Sequence, residues 1–417
     1  MTRGVVTQNN AEPSGWSKLP LGEVGRWLSG GTPSLAVADY WGGDLPWVSP
    51  KDMKAPRLHD AIDHISNSAV EAGATVLPAG AVLMVVRGMI LAHSMPVARA
   101  ERPLSFNQDI KAVVCRDRVD SEFLLYWLLS NARRLLSFTT ESTHGTKRLP
   151  TETLFREVVA CPSVEEQRAI ATVLSDVDTL LAKLDQLIAK KRNLKLAAVQ
   201  QLLTGRRRLP GFTEPWRERT LQSAVARLEA GVSVRSVEGD AGGSECFVLK
   251  TSAVADGSFD ASERKPVIPA DRGRVRCPVR AGTVLVSRMN TPGLVGEVGF
   301  VDRDHPNSFL PDRLWAASVP KGAVSARWLS YVLSSSEYKQ RLRDVATGTS
   351  GSMKNISKGA FLGISVKVPT LDEQSAIAQV LSDMDAELVA LEARSDKTRQ
   401  LKQGMMQALL TGQIRLV

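Results

Sequence analysis

The stretch Glu165-Glu166-Gln167-Arg168-Ala169-Ile170-Ala171-Thr172-Val173-Leu174-Ser175-Asp176 runs on to Leu202-Leu203-Thr204-Gly205, and the whole of it is met again further along the chain. Asp372-Glu373-Gln374 opens the second copy and Leu409-Leu410-Thr411-Gly412 closes it. Leu174 answers Leu381 and Gly205 answers Gly412, so the offset stays at 207 residues from one end to the other. About half of the aligned positions are identical without a gap, which over some forty residues marks a duplication rather than chance.

Both copies carry helical periodicity. Val173, Val177, Leu180, Leu184, Leu187, Leu194 and Ala198 fall at alternating steps of four and three, interrupted by Lys191, and this predicts the seam of a coiled coil. The second copy keeps Val380, Met384, Leu391, Leu401 and Met405 on that seam but has Glu387, Arg394 and Thr398 there, so its middle is expected to pack loosely or face water. Each helix is expected to stop at its glycine, the usual residue just past a helix C-terminus. About forty residues at about 1.5 Å each give a rod of about 60 Å.

Outside the helices the repeat continues more faintly. Trp16 and Leu21 answer Trp216 and Leu221, and Arg87 answers Arg288. Ala79-Gly80-Ala81-Val82-Leu83 answers Ala281-Gly282-Thr283-Val284-Leu285, each a turn glycine followed by a β-prone run. Phe106-Asn107-Gln108-Asp109 sits where Phe309-Leu310-Pro311-Asp312 sits, followed by helical patterns at Glu122–Ser130 and Ala326–Ser334 and by loops around Gly145-Thr146-Lys147-Arg148 and Gly351-Ser352-Met353-Lys354-Asn355. The fold expected is α+β: a globular domain over 1–164, a long helix over 165–209, a second globular domain over 210–371 and a second long helix over 372–417, the helices packing as an antiparallel coiled coil. Arg206-Arg207-Arg208-Leu209-Pro210-Gly211-Phe212 has the charge run and Pro-Gly pair of a domain junction.

Composition narrows the partner. Among 417 residues, 43% hydrophobic and 23% charged is an ordinary globular balance, while a formal net charge of +9 favours a polyanion, nucleic acid before an anionic membrane. Val82-Leu83-Met84-Val85-Val86 is strand-sized and stops at Arg87, far short of a membrane span. Met1-Thr2-Arg3-Gly4 lacks the order of a signal peptide. Cys115, Cys161, Cys246 and Cys277 form no CxxC pair and suit a reducing cytoplasm, and the histidines reach no ligand spacing, so no metal and no cofactor is expected.

No catalytic pattern stands out. There is no GxxxxGK[ST] loop, no Asn-Pro-Pro-aromatic tetrad of an amino-methyltransferase, and no glycine triplet at dinucleotide-binding spacing. Pro311-Asp312 followed by Glu337-Tyr338-Lys339 imitates a PD…ExK nuclease site. That site needs its ExK on a strand beside the aspartate so that the carboxylates share a metal. Glu337 instead falls in a helical pattern.

Together these residues resemble the specificity subunit of type I restriction–modification systems, over nearly the whole chain from about Trp16. Ser29-Gly30-Gly31-Thr32-Pro33-Ser34 and Tyr40-Trp41-Gly42-Gly43-Asp44-Leu45-Pro46-Trp47-Val48-Ser49 look like a target recognition domain, and Phe106-Asn107-Gln108-Asp109 looks like the family's Asn-Gln strand. Pro162 with Glu165-Glu166-Gln167, and Leu203-Thr204-Gly205 with Arg208-Leu209-Pro210-Gly211-Phe212, look like its junctions. The second domain departs, with Ala230-Gly231-Val232-Ser233 for the Gly-Gly-Thr-Pro turn and Leu249-Lys250-Thr251-Ser252-Ala253-Val254 of another subtype, so the two domains are expected to read different sequences. The resemblance implies a non-catalytic subunit that binds double-stranded DNA at a bipartite asymmetric site. It also implies two adenine methyltransferase subunits and two ATP-driven motor–nuclease subunits as partners, with the helices setting the distance between half-sites.

Base readout needs bidentate groups, Arg or Lys for guanine and Asn or Gln for adenine, and phosphate contact needs cations and hydroxyls. The candidates in the first domain are Lys51, Arg87, Asn107, Gln108, Lys147 and Arg148. In the second they are Lys250, Thr251, Arg288, Asn290, Arg313, Lys354 and Asn355. The Gly-Thr-Pro-Ser turn reads as architecture, and Tyr40, Trp41 and Trp47 read as core before a stacking platform. A nuclease with its own target domains and a coiled-coil scaffold without DNA binding remain as rival readings.

Overall fold

A computed structural model describes residues 15–141, 145–238, 245–348 and 353–416, so Gly351 and Ser352 of the second expected loop and the first four residues lie outside the described part. The chain divides into two compact units, one of residues 1–185 and 393–417, the other of residues 186–392. Each unit holds one globular domain together with part of each long helix.

In the first unit a five-stranded sheet runs in the order Gly25–Ser29, Ile110–Cys115, Val82–Val85, Val97–Ala100 and Arg57–Leu58. Val82–Val85 is buried on both faces, as its unbroken apolar run requires. Against it packs the helix Ser121–Leu136, capped by the Asp120 carboxylate on the amides of Glu122 and Phe123. This helix is longer than the sequence pattern suggested, because Leu135 continues the buried face by two turns. A four-stranded sheet, Asp63–Ile65, Trp41–Val48, Leu104–Phe106 and Val76–Leu77, lies beside it. Trp47 is 7% exposed and meets Trp41 edge-on at 5.2 Å between ring centroids, so these rings are core.

The second unit repeats the plan with two four-stranded sheets. One runs Arg227–Ala230, Leu314–Ser318, Thr283–Ser287 and Val298–Val301; the other runs Arg264–Pro266, Phe247–Leu249, His305–Phe309 and Pro278–Val279. The helix Ala326–Ser334 sits where its pattern placed it, capped by Ser325 on the Trp328 amide. In both units one strand of the second sheet lies parallel to a neighbour: Trp41–Val48 to Leu104–Phe106, with Trp47 against Ser105, in the first, and Phe247–Leu249 to His305–Phe309, with Phe247 against Ser308, in the second.

The long helices are Val164–Leu202 and Leu371–Leu410, and they pack together antiparallel. In the first unit Lys402 pairs with Asp178, and Ser395 and Arg399 with Asp185. In the second Lys191 pairs with Glu387 and Lys195 with Asp385. Position numbers rise on one helix as they fall on the other. Gly205 and Gly412 follow with φ of +70° and +71°, the left-handed exits that glycine allows.

The seam itself corrects the sequence reading. Leu184 lies in it, but Leu180, Leu187 and Leu194 are 39%, 38% and 46% exposed, and Val380 and Leu401 are likewise on the outside. The buried stripe uses Leu174, Leu184 and Ile188 on one helix and Leu381, Leu388 and Ser395 on the other. The cause is local: Leu180-Leu181 and Leu187-Ile188 are adjacent apolar pairs, so steps of three or four satisfy either of two faces. Packing against the domains selects one.

Candidate nucleic-acid interface

The frame that carries the interface is built from pairs of residues that repeat at the helix starts. Gln167 donates to the carbonyls of Pro162 (2.9 Å) and Arg118 (3.0 Å) and accepts from the Asp120 amide (2.8 Å). Gln374 does the same with Pro369, Ala323 and Ser325. Both amides are fully buried, where an unmet polar group is costly, and these bonds fix each long helix to the domain before it. Beside them Glu166 takes two hydrogen bonds from Arg415 (2.7 and 2.8 Å), and Glu373 two from Arg208 (2.5 and 2.7 Å). The Arg415 guanidinium, with the Leu416 amide, holds the Glu166 carboxyl below its ordinary range. Tyr126 donates to Asp178 (2.8 Å) and Tyr331 to Asp385 (2.6 Å), closing each helix over its domain. The sequence reading missed both carboxylate–guanidinium clamps. Arg208 and Arg415 stand at the repeat offset, which was the available signal.

In the first unit, short backbone bridges gather the basic candidates. The amides of Val86 and Arg87 donate to the Asp109 carbonyl, the Gly88 amide to Lys147 and the Leu149 amide to Val86. Arg87 therefore stands opposite Arg148, both exposed, with Lys147 beside them and ion-paired to Glu141. Gln108 is exposed at the adjoining turn and accepts a hydrogen bond from the Thr32 hydroxyl at 2.7 Å. Asn107 is different: it is 6% exposed, its Oδ1 accepts from the Asp109 amide, and its own amide donates to Val48. It shapes the turn rather than presenting an edge. Lys51 is exposed but bound to Asp63 at 2.8 Å, which raises its pKa above the ordinary lysine value.

The second unit makes the same junction from different side chains. Met289–Asn290 pairs with Lys354–Asn355, the Ile356 amide donates to Arg288, and the Arg288 amide donates to Arg313. Arg288, Asn290, Arg313, Lys354 and Asn355 thus come together. The Arg288 guanidinium lies 5.5 Å from the Trp315 ring, and its Nε and the Asn355 Oδ1 are buried with no hydrogen-bond partner. Asn290 bonds Ser287 and the Thr291 amide. Lys250 and Thr251 stand apart from this group, Lys250 being held by Glu263 through its amide and its ammonium.

The other chemistry considered from the sequence does not assemble. Glu337 lies on the helix Ser336–Asp344 and pairs with Arg341, while Lys339 pairs with Glu297. Among the described residues no group of three or more His, Cys, Asp or Glu is placed to hold a metal ion. Burial pushes the Cys115 thiol up to about 12 and those of Cys161 and Cys277 up to about 11, far from a nucleophile's range. Among the described residues no helix is long and apolar enough to cross a membrane.

Two domains of this α+β plan, with long helices packed together, define the fold of type I restriction–modification S subunits. The structure matches the S subunit from M. genitalium with a TM-score of 0.60 at 13% identity, over 97% of this chain and 98% of that one. It matches a chain from a study of complex assembly and conformational transition of the type I R-M system with a TM-score of 0.54 at 16% identity, over 97% and 99%. Residues 13–191 match the family model of the type I restriction modification DNA specificity domain. The chain is 30% identical over 177 residues to the EcoR124I/EcoR124II specificity subunit of Escherichia coli, 42% of this chain and 44% of that one. It is 33% identical over 175 residues to the MjaIX specificity subunit of Methanocaldococcus jannaschii, 40% and 39%. These alignments span less than half the length of either relative. A third, to the MjaVIII specificity subunit of the same archaeon, spans 97% of this chain and 94% of the relative at 21% identity.

Proposed function

We propose that the chain is the DNA-reading subunit of a type I restriction–modification complex, without catalysis of its own. Its two domains read the two halves of a bipartite, asymmetric site. It directs adenine methylation and restriction by partner subunits, two methyltransferases and two ATP-driven motor–nucleases, in the cytoplasm. The observation that carries this reading is the pair of strand-end junctions, Arg87 with Lys147 and Arg148, and Arg288 with Asn290, Arg313, Lys354 and Asn355. Each collects exposed or half-exposed cations and amides on backbone held by its own hydrogen bonds, as groove readout requires. The net charge of +9 supports a polyanionic partner, and the family match over 13–191 supports DNA as that polyanion. We place the boundaries of the reading domains at 1–164 and 210–371 and take the helices as the element that sets half-site spacing.

The test is selection of bound duplexes from a random library by the full chain, followed by a salt titration. A bipartite motif and a steep fall of affinity with salt are expected. A salt-independent affinity, or none, would leave the scaffold reading. Cleavage by the pure chain with Mg²⁺, lost in Glu337→Ala, would establish a nuclease.

A further inference from the structure

Within the first unit, one exposed polar contact is held in place by everything around it. Gly31 donates its amide to the Phe106 carbonyl at 3.0 Å, and the Trp47 indole donates to the Gly31 carbonyl at 2.9 Å. Gly30 lies so close to the next turn that a Cβ there would sit 2.2 Å from the Phe106 carbonyl oxygen. The backbone of residues 30–32 is therefore pressed against that of 106–108. On the far side the Asn107 amide donates to Val48, and its side chain closes on Asp109. Out of this locked pair of turns project Thr32 and Gln108, both exposed, with the Thr32 hydroxyl donating to the Gln108 amide oxygen at 2.7 Å.

A hydrogen bond between two exposed side chains competes with water and contributes little to folding. The turns are already fixed by backbone bonds and by Gly30. What the hydroxyl does fix is the direction of a long, otherwise mobile amide. We infer that Thr32 is a positioning residue that presets Gln108 to read one adenine in the major groove. This rests on the DNA-reading function proposed above. The Gln108 oxygen keeps a second lone pair for the adenine 6-amino group, and its nitrogen keeps a hydrogen for N7, the bidentate pattern that an amide makes with adenine. Presetting removes rotamer freedom before binding rather than during it. In the second unit Val232 and Pro311 stand where Thr32 and Gln108 stand in the first, and a Cβ on Gly231 would sit 1.6 Å from the Leu310 carbonyl oxygen. The close approach is retained there and the amide is absent, so the effect belongs to one half-site.

The experiment uses the full chain and the duplex selected from a random library, with each adenine replaced in turn by 7-deazaadenine, which lacks the N7 acceptor. In the unaltered protein one adenine of one half-site is expected to show a loss of about tenfold. Gln108→Ala removes that sensitivity. Thr32→Val, isosteric but without a hydroxyl, removes most of it; Thr32→Ser restores it; thermal unfolding stays the same in all three. Positions in the other half-site do not respond to any of these variants. Undiminished sensitivity in Thr32→Val, or in Gln108→Ala, overturns the inference while leaving the DNA-reading function standing. Failure to select any motif overturns that function, and the inference with it.

Discussion

The first unit closes its clamp on Glu166 with Arg415, 249 positions downstream, whereas the second closes the same clamp on Glu373 with Arg208, 165 positions upstream. The geometry is shared: two hydrogen bonds, with a tryptophan, Trp16 or Trp216, under each guanidinium. Lys402 and Tyr126 meet at Asp178 as Lys195 and Tyr331 meet at Asp385. One place differs. Ser175 receives Arg57, which is also paired with Glu122 and Glu101, while Ser382 receives Arg327, which stands where Glu122 stands in the other copy. An open groove of about 760 Å³, lined by Arg327, Tyr331 and Ser382 among others, lies on that side of the second unit. The lesson is one of mutual dependence. A buried clamp residue cannot change unless its partner changes with it, so the docking frame stays alike in both copies. The exposed turns carry no such buried ion pair, and Asn107-Gln108 stands against Leu310-Pro311.

The largest break comes from the helices, whose antiparallel pairing both units share. Two residues inserted between Lys191 and Arg192 turn everything beyond by about 200°. Lys195 then leaves Asp385, and Val199 and Leu202 leave the core of the second unit. Loss of site-specific binding is expected in a duplex-binding assay. Four inserted residues add about 6 Å and nearly one whole turn, so packing survives. If the helices set half-site spacing, the selected spacer lengthens by one or two base pairs. An unchanged spacer with intact binding would remove the ruler from the proposed function.

Next in size is the clamp. The Glu373 side chain is fully buried and also accepts from the Trp216 indole at 3.1 Å. Glu373→Ala removes a buried acceptor from Arg208 and Trp216, while Arg208 stays partly solvated, so it is expected to cost about 2–3 kcal/mol in the second unit. Denaturant unfolding followed by hydrogen exchange on residues 221–224 against 21–23 would show the loss confined to the second unit. Equal loss in both would mean that the clamps are not separate. Smaller again is Arg87→Ala, which is expected to weaken one base position of one half-site by about 1–3 kcal/mol. A uniform loss across all sequences would make Arg87 a phosphate contact instead.

Much of this was legible in the sequence. The duplicated rods, the strands at Val82 and Thr283 and the helix at Ala326 follow from periodicity and from the faint repeat, whereas the meeting of Arg87 with Arg148 comes from the structure alone. The seam was misplaced because a four-three spacing does not choose between Leu180 and Leu181. Arg415 carries the repeat offset from Arg208 but no local pattern, because its clamp closes across 249 residues. Asn107 and Gln108 are the same kind of residue to a reader of sequence. Only the turn shows that one is buried in its own hydrogen bonds and the other is free to face a partner.

The finest distinction between the units is one of pH. The Glu166 carboxyl is held below its ordinary value of 4.5, first by Arg415. A depressed carboxylate stabilises fully above its unfolded value and loses that contribution as pH falls through the folded one. The first unit is therefore expected to begin losing the clamp's contribution as pH drops below about 4.5. In the second unit the Asp271 carboxyl, bonded first by the Arg235 amide, is held down at about 2. Its contribution is lost between its ordinary value of 3.8 and about 2, a window further into acid. Glu166→Gln keeps an acceptor for Arg415 but has no proton to gain, so it should lower stability at neutral pH by about 1 kcal/mol. It should also flatten the decline as pH falls below about 4.5. Urea midpoints of the variant and the unaltered chain, measured across that range, should converge towards the acid end. Parallel curves would show that the charge on Glu166 contributes nothing beyond the hydrogen bonds an amide can also accept.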